Sequence, residues 1–190
     1  MSGPVETEIK LSIKDGLDSA RALLEGHGFA IVQPRTLQAD QVYDFPDDLL
    51  RKSGRLLRVR SETALDHTAA ILTYKGPTAP GPHKSREELE TSAADGPTLE
   101  LIFNRLGLVP SFRYEKYRVT YQLSGDPGVV VIDETPIGVF LELEGPSYWI
   151  DATASRLGFT PQDYIVASYA SLYRTYLTKH SGPPDMVFPK

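Results

Sequence analysis

The sequence predicts an α+β fold, an eight-stranded antiparallel β-barrel with helices packed on its outside. Three observations carry that expectation. The 190 residues divide into about eight extended segments and three or four amphipathic helical ones. Consecutive extended segments are mostly joined by short turns, which favours antiparallel pairing, and their number suits closure into a barrel. Within most of them charged and apolar residues alternate, so that each strand carries one face of each kind.

Composition bounds the chain before any element is placed. With 41% hydrophobic and 24% charged residues it reads as one globular domain over residues 1–180, followed by a Pro-rich, flexible tail at 181–190. No apolar run approaches the roughly 20 residues needed to span a bilayer. The N-terminus is acidic and strand-like, so the expected location is cytoplasmic, with no membrane partner. Cysteine is absent, which excludes disulfides and thiolate metal sites, and the histidines His27, His67, His83 and His180 have no zinc-like spacing. Any metal must be held by oxygen. A net charge of −5 argues against non-specific binding to nucleic acid.

Taken in order, Val5 to Leu11 is a strand with Glu6, Glu8 and Lys10 on one face and Val5, Ile9 and Leu11 on the other. Leu17, Ala20, Leu23 and Leu24 give a helical stripe over residues 16 to 27, closed by Gly26-His27-Gly28. Two extended pieces follow, Phe29 to Pro34 and Leu37 to Phe45, then a turn and one helical turn over Pro46 to Gly54. Leu56 to Arg60 sets Arg58 and Arg60 against Leu57 and Val59, and Ala70 to Lys75 is a short strand ending in a lysine. The Pro/Gly-rich stretch Gly76 to Pro82 reads as a loop. Beyond it Lys84, Arg86, Glu88 and Glu90 share one parity. Leu99, Ile102, Phe103 and Leu106 form a helical stripe stopped by Gly107. In the strand from Glu115, Lys116 and Arg118 alternate with Tyr117 and Val119; Val129 to Asp133 is apolar up to its acid. Gly138 to Gly145 sets Glu142 and Glu144 against Leu141 and Leu143. The C-terminal third reads as helix from Ile150 to Leu157 and again from Pro161 to about Lys179, with Tyr169 on a stripe packed against the barrel exterior.

The charged faces carry the functional information. A solvated face mixes signs and includes small polar residues, but these strands collect carboxylates in pairs (Glu6/Glu8, Glu142/Glu144) and cations in pairs (Arg58/Arg60, Lys116/Arg118). Like charges two residues apart on one strand face repel, more so in a shielded cavity, so something bound must offset the repulsion. Paired carboxylates suit Mg²⁺ or Mn²⁺, and clustered arginine and lysine suit a polyanion such as phosphate. A cavity with near-equal numbers of both matches a metal–triphosphate complex.

With these residues in hand, the chain resembles the CYTH superfamily, the triphosphate tunnel metalloenzymes, over Glu6 to about Leu177. The resemblance is carried by Glu6-x-Glu8-x-Lys10, Tyr43-Asp44, Leu57-Arg58-Val59-Arg60, Leu72-Thr73-Tyr74-Lys75-Gly76, Arg86-Glu87-Glu88, Glu115-Lys116-Tyr117-Arg118, Asp133, Gly138-x-Phe140-x-Glu142-x-Glu144 and Ser168-Tyr169, in that order. A lone Glu-x-Glu-x-Lys arises by chance; the ordered set does not. The resemblance implies a barrel that forms a tunnel for a triphosphate-containing small molecule with Mg²⁺ or Mn²⁺. It makes Glu6, Glu8, Glu88, Asp133, Glu142 and Glu144 expected metal ligands and Lys10, Arg58, Arg60, Lys75, Arg86, Lys116 and Arg118 expected phosphate clamps, with Glu6, Glu8 and Lys10 at the chemistry. Asp44, Lys84 and Glu90 carry less weight. The implied activity is triphosphate hydrolysis, with class IV adenylate cyclase as the alternative and a non-catalytic polyphosphate- or nucleotide-binding module as the third reading.

Overall fold

The structure, a computed structural model, describes residues 3–64 and 67–189. Its strands are β1 (Val5–Ile13), β2 (Ala30–Asp44), β3 (Leu56–Ala64), β4 (His67–Lys75), β5 (Lys84–Ala93), β6 (Val109–Gln122), β7 (Val129–Thr135) and β8 (Gly138–Glu144). They close into a barrel in the order β1-β5-β4-β3-β2-β6-β7-β8, antiparallel at every junction. The helices are α1 (Gly16–Gly26), α2 (Leu49–Lys52), α3 (Gly96–Arg105), α4 (Ser147–Arg156) and α5 (Tyr169–Leu177). No helix among the described residues is long and apolar enough to cross a membrane.

The apolar parity of the strands faces outward and is covered by helices. Ile9 and Leu11 of β1, Val119 and Tyr121 of β6, Val130 and Ile132 of β7 and Leu141 and Leu143 of β8 share one buried core with Ala20 and Leu24 of α1 and Ile150 and Ala154 of α4. Each fully buried Leu or Ile contributes roughly 1.5 to 3 kcal/mol, so this outer layer is what stabilises the barrel. The charged parity is thereby left for the interior. On the far side Phe103 of α3 meets Tyr43 edge-on at 5.2 Å between ring centroids and packs beside Val59. The rest of that helical stripe is only part-covered, with Ile102 and Leu106 exposed.

Three stretches differ from the sequence expectation. The two pieces expected at Phe29–Pro34 and Leu37–Phe45 are one strand, β2, with its register shifted between Gln33 and Thr36, where Pro34 has no N–H to give the ladder. The helix expected from Pro161 to Lys179 is only a 3₁₀ turn at Pro161–Asp163 and then α5. Between them Ile165 exchanges two backbone hydrogen bonds of 2.9 Å with Lys10. The paired register of β1 with β5 runs only from Val5 to Glu8, so Ile165 supplies the partners that Lys10 lacks on that edge. Finally, the segment expected as a flexible tail has a seated stretch. Met186 is wholly buried and its backbone bonds to Arg113 and Glu115 of β6.

Candidate active site

Cross-strand register decides which interior charges meet. Glu8 lies opposite Lys84 of β5 on one side and Glu144 of β8 on the other, and Lys10 lies opposite Glu142. Glu6 faces Arg86, Lys75 faces Glu88, Arg60 faces Asp40 and Arg118 faces Asp133. Every sequence-predicted site residue except Asp133 lines a single cavity of about 590 Å³. The parity read from the sequence is therefore the parity of the tunnel wall.

The acids concentrate on β1 and β8. Glu6, Glu8 and Glu144 each offer a carboxylate oxygen, and these oxygens lie within 4.8 Å of one another. Three such groups form the oxygen donor set that Mg²⁺ or Mn²⁺ takes, and their closeness is costly without a countercharge. Glu144 shows the cost. Burial and the nearby charges of Glu142, Glu8 and Glu6 push its carboxyl up to about 7 despite the Arg118 guanidinium beside it. Glu88 is likewise raised, by burial and by Glu6, against the pull of Lys75.

Lys10 sits between acids, with Nζ 2.9 Å from Glu8 Oε1 and 3.1 Å from Glu142 Oε1. Burial alone would lower its pKa, but Glu142 and Glu8 outweigh burial and hold it above the ordinary lysine value. It is a committed ammonium, suited to binding phosphate oxygen rather than to accepting a proton. Lys84 also reaches Glu8 Oε1, at 2.6 Å, and is pushed down to about 8 by burial and the neighbouring Lys10 charge. Between them Lys10 and Lys84 overcome the effect of burial on Glu8 and keep its carboxyl well below the usual range.

Cations line β5, β4 and β3, the strands that run on from β1 around the barrel. Arg58 donates to Thr73 at 2.9 Å and to Tyr114 and Glu90 at 3.2 Å, and Lys75 bridges Glu6 and Glu88 at 2.8 Å each. Arg86 is nearly buried, yet its contact with Glu6 is a loose 3.6 Å and its Nε has no hydrogen-bond partner among the described residues. A buried guanidinium with an unspent donor beside three crowded carboxylates is a place where an anion and a cation are both wanted.

Two aspartates organise these cations. Asp133 is wholly buried and takes Lys116 on Oδ2 at 2.7 Å and Arg118 on both oxygens at 2.7 Å. Arg118 also contacts Glu142 and, at 3.2 Å, Glu144. Asp40 plays the corresponding part for Arg60, with the Arg58 charge 3.2 Å away. Sequence reasoning passed over Asp40, whose only signal is its parity within Gln38-x-Asp40-x-Val42. Asp44 is at the tunnel mouth but is spent on structure, accepting the N–H groups of Phe45, Leu50 and Arg51 at the start of α2. Tyr169 corrects a sequence expectation: it enters the barrel, its hydroxyl donating to Asp133 and its ring centroid 5.3 Å from Lys10 Nζ and 5.2 Å from Lys116 Nζ. Ser168 caps α5 by accepting the Ser171 N–H.

A family model for the CYTH domain matches residues 5–148, which takes in every strand of the barrel. The chain belongs to the CYTH family. A Methanocaldococcus jannaschii protein named "putative adenylate cyclase" is 32% identical over 142 residues, covering 74% of this chain and 76% of that one. The CYTH barrel also recurs in solved structures. A Vibrio parahaemolyticus protein of the same name aligns with a TM-score of 0.77 at 17% identity, over 90% of this chain and 99% of its own. A Pyrococcus horikoshii protein aligns at 0.73 and 23% identity over the same shares. An adenylyl cyclase homologue from Hippeastrum, described as having a dominant triphosphatase activity, aligns at 0.63 and 16% identity over 93% of this chain and 96% of its own.

Proposed function

We propose that this CYTH domain hydrolyses a small triphosphate-containing substrate in its tunnel, with Mg²⁺ or Mn²⁺ bound. The observation that carries the reading is the Glu6, Glu8 and Glu144 cluster, which shares one cavity with Arg58, Arg60, Arg86, Lys116 and Arg118. Those three carboxylates fit a hard divalent cation by donor type and spacing. When bound, the metal supplies neutralisation of phosphate charge and activation of water. The chain's own part is positioning and electrostatics, the main demands of phosphoryl transfer. Lys10 and Lys75 bind phosphate oxygens next to the acids, and the arginines hold the remainder of the chain. Of the other expected ligands, Glu88 keeps Lys75 in place, and Glu142 and Asp133 orient Lys10, Lys116 and Arg118.

The second reading is adenylate cyclase, favoured by the name of the archaeal relative. It uses the same tunnel, with the ribose 3′-hydroxyl attacking the α-phosphorus of ATP and pyrophosphate leaving. The clamps described here all address phosphate, which is why hydrolysis comes first. Orthophosphate release from tripolyphosphate, measured with Mg²⁺ or Mn²⁺ and again with excess chelator, tests the proposal. Turnover that persists in chelator contradicts it.

A further inference from the structure

Asp40 is 0% exposed, and its strand registers set it opposite Arg60 on β3 and Tyr114 on β6. Arg60 grips it at two points, Nε to Oδ1 at 2.9 Å and a terminal nitrogen to Oδ2 at 3.4 Å. Arg58 Nε lies 3.2 Å from the same Oδ1, a charge contact without a hydrogen bond; its guanidinium donates instead to Thr73, Tyr114 and Glu90. The aspartate is outside the Glu6, Glu8 and Glu144 cluster, so metal binding there does not account for it. Burial would raise its pKa, but Arg60 and Arg58 outweigh burial and keep the carboxyl below its ordinary value, so it is an anion at neutral pH.

Burying a carboxylate between two arginines lowers the positive field that a phosphate meets, which is a cost to binding. Its compensation is order. A free arginine side chain loses rotamer freedom on contact with phosphate unless the fork is already held. The same device stands on β7, where buried Asp133 fixes Lys116 and Arg118.

We propose that Asp40 is a positioning residue, which locks the Arg60 guanidinium against the barrel wall and presets its remaining donors for the phosphate chain. The inference rests on reading the cavity as a triphosphate site. It assigns Asp40 an effect on turnover that passes through Arg60.

The test is a double-mutant cycle on orthophosphate release from tripolyphosphate with Mg²⁺, using the wild type, Asp40→Asn, Arg60→Ala and the double variant. Asp40→Asn is expected to lower kcat/KM about tenfold, mainly through kcat, because the added positive charge supports binding while orientation is lost. In the Arg60→Ala background the same change should cost less than about threefold. Equal losses in the two backgrounds, or no loss in the first, overturn the inference. Should Asp40→Asn fail to fold, Asp40→Glu decides instead: it keeps the charge but displaces the carboxylate that grips Arg60, so about a tenfold loss in kcat with little change in KM supports the inference and full activity overturns it. A wild type that neither binds nor turns over tripolyphosphate or ATP overturns the parent reading with it, whereas an active wild type beside an equally active Asp40→Asn overturns this inference alone.

Discussion

The Tyr169 hydroxyl donates a 2.8 Å hydrogen bond to Asp133 Oδ2 inside the barrel. Because the ring is buried against Phe140 and Tyr114 as well, α5 is anchored to the tunnel by one polar contact set among apolar ones. Tyr169→Phe keeps the packing and removes the donor. We expect a loss of about 1 to 3 kcal/mol in unfolding free energy, read from urea denaturation, since the buried carboxylate forfeits a partner. An unchanged midpoint would contradict the anchoring role.

The acid cluster predicts unequal stability effects from chemically identical substitutions. Glu8 neutralises two buried ammoniums, Lys10 and Lys84, so Glu8→Gln should cost about 3 kcal/mol or more. Glu144 is repelled by its acidic neighbours, and its partner Arg118 keeps Asp133 and Glu142, so Glu144→Gln should change stability by less than about 0.5 kcal/mol or increase it. Both variants should lose metal-dependent turnover. Thermal unfolding of the two proteins without metal separates them, and equal destabilisation would count against this account of the cluster.

The interior placement of the charged residues was legible in the sequence because alternation with period two puts whole strands of charge on one side, and closure makes that side the interior. Glu6, Glu8, Arg58, Arg60, Lys116 and Arg118 all follow from that one rule. Asp40 was not legible, since on its strand face it stands between Gln38 and Val42 as a single acid, without the like-charged neighbour that marked the other strands. Tyr169 was misplaced for a different reason. Helical spacing ran unbroken through residues 161–179, and nothing local signals that Ile165 leaves the helix to pair with Lys10, a long-range contact between the two ends of the chain.

Interior and exterior arginines should separate cleanly. Arg58→Ala, Arg60→Ala and Arg118→Ala each remove a charge-assisted contact worth roughly 1.5 to 3 kcal/mol, or about ten- to a hundredfold in triphosphate affinity. Arg21 on α1 and Arg156 on α4 lie outside the barrel and away from the cavity, and their alanine variants should bind as the wild type does. Calorimetric titration of tripolyphosphate into the five variants reads this directly; equal losses inside and outside would remove the tunnel as the binding site.

Asp40 carries a pH signature. Its folded pKa is depressed below the ordinary 3.8 by Arg60 and Arg58 acting against burial, so its contribution to stability is fully present above that value and is lost as pH falls through the folded pKa. The stability gap between the wild type and Asp40→Asn should therefore be largest at neutral pH and narrow below about pH 4. Urea unfolding of both proteins across acid pH tests it, and a gap that widens on acidification would reverse the assigned sign.

The tunnel is expected to direct water, rather than a ribose hydroxyl, at a phosphoanhydride. Initial rates should be measured side by side on tripolyphosphate and on ATP, with Mg²⁺ and with Mn²⁺ at mildly alkaline pH, following orthophosphate, pyrophosphate and cyclic AMP. Orthophosphate release from tripolyphosphate should exceed cyclic AMP formation from ATP, because the arginines and lysines of the wall all suit phosphate. Abundant cyclic AMP and pyrophosphate with little orthophosphate would contradict it and establish the cyclase reading.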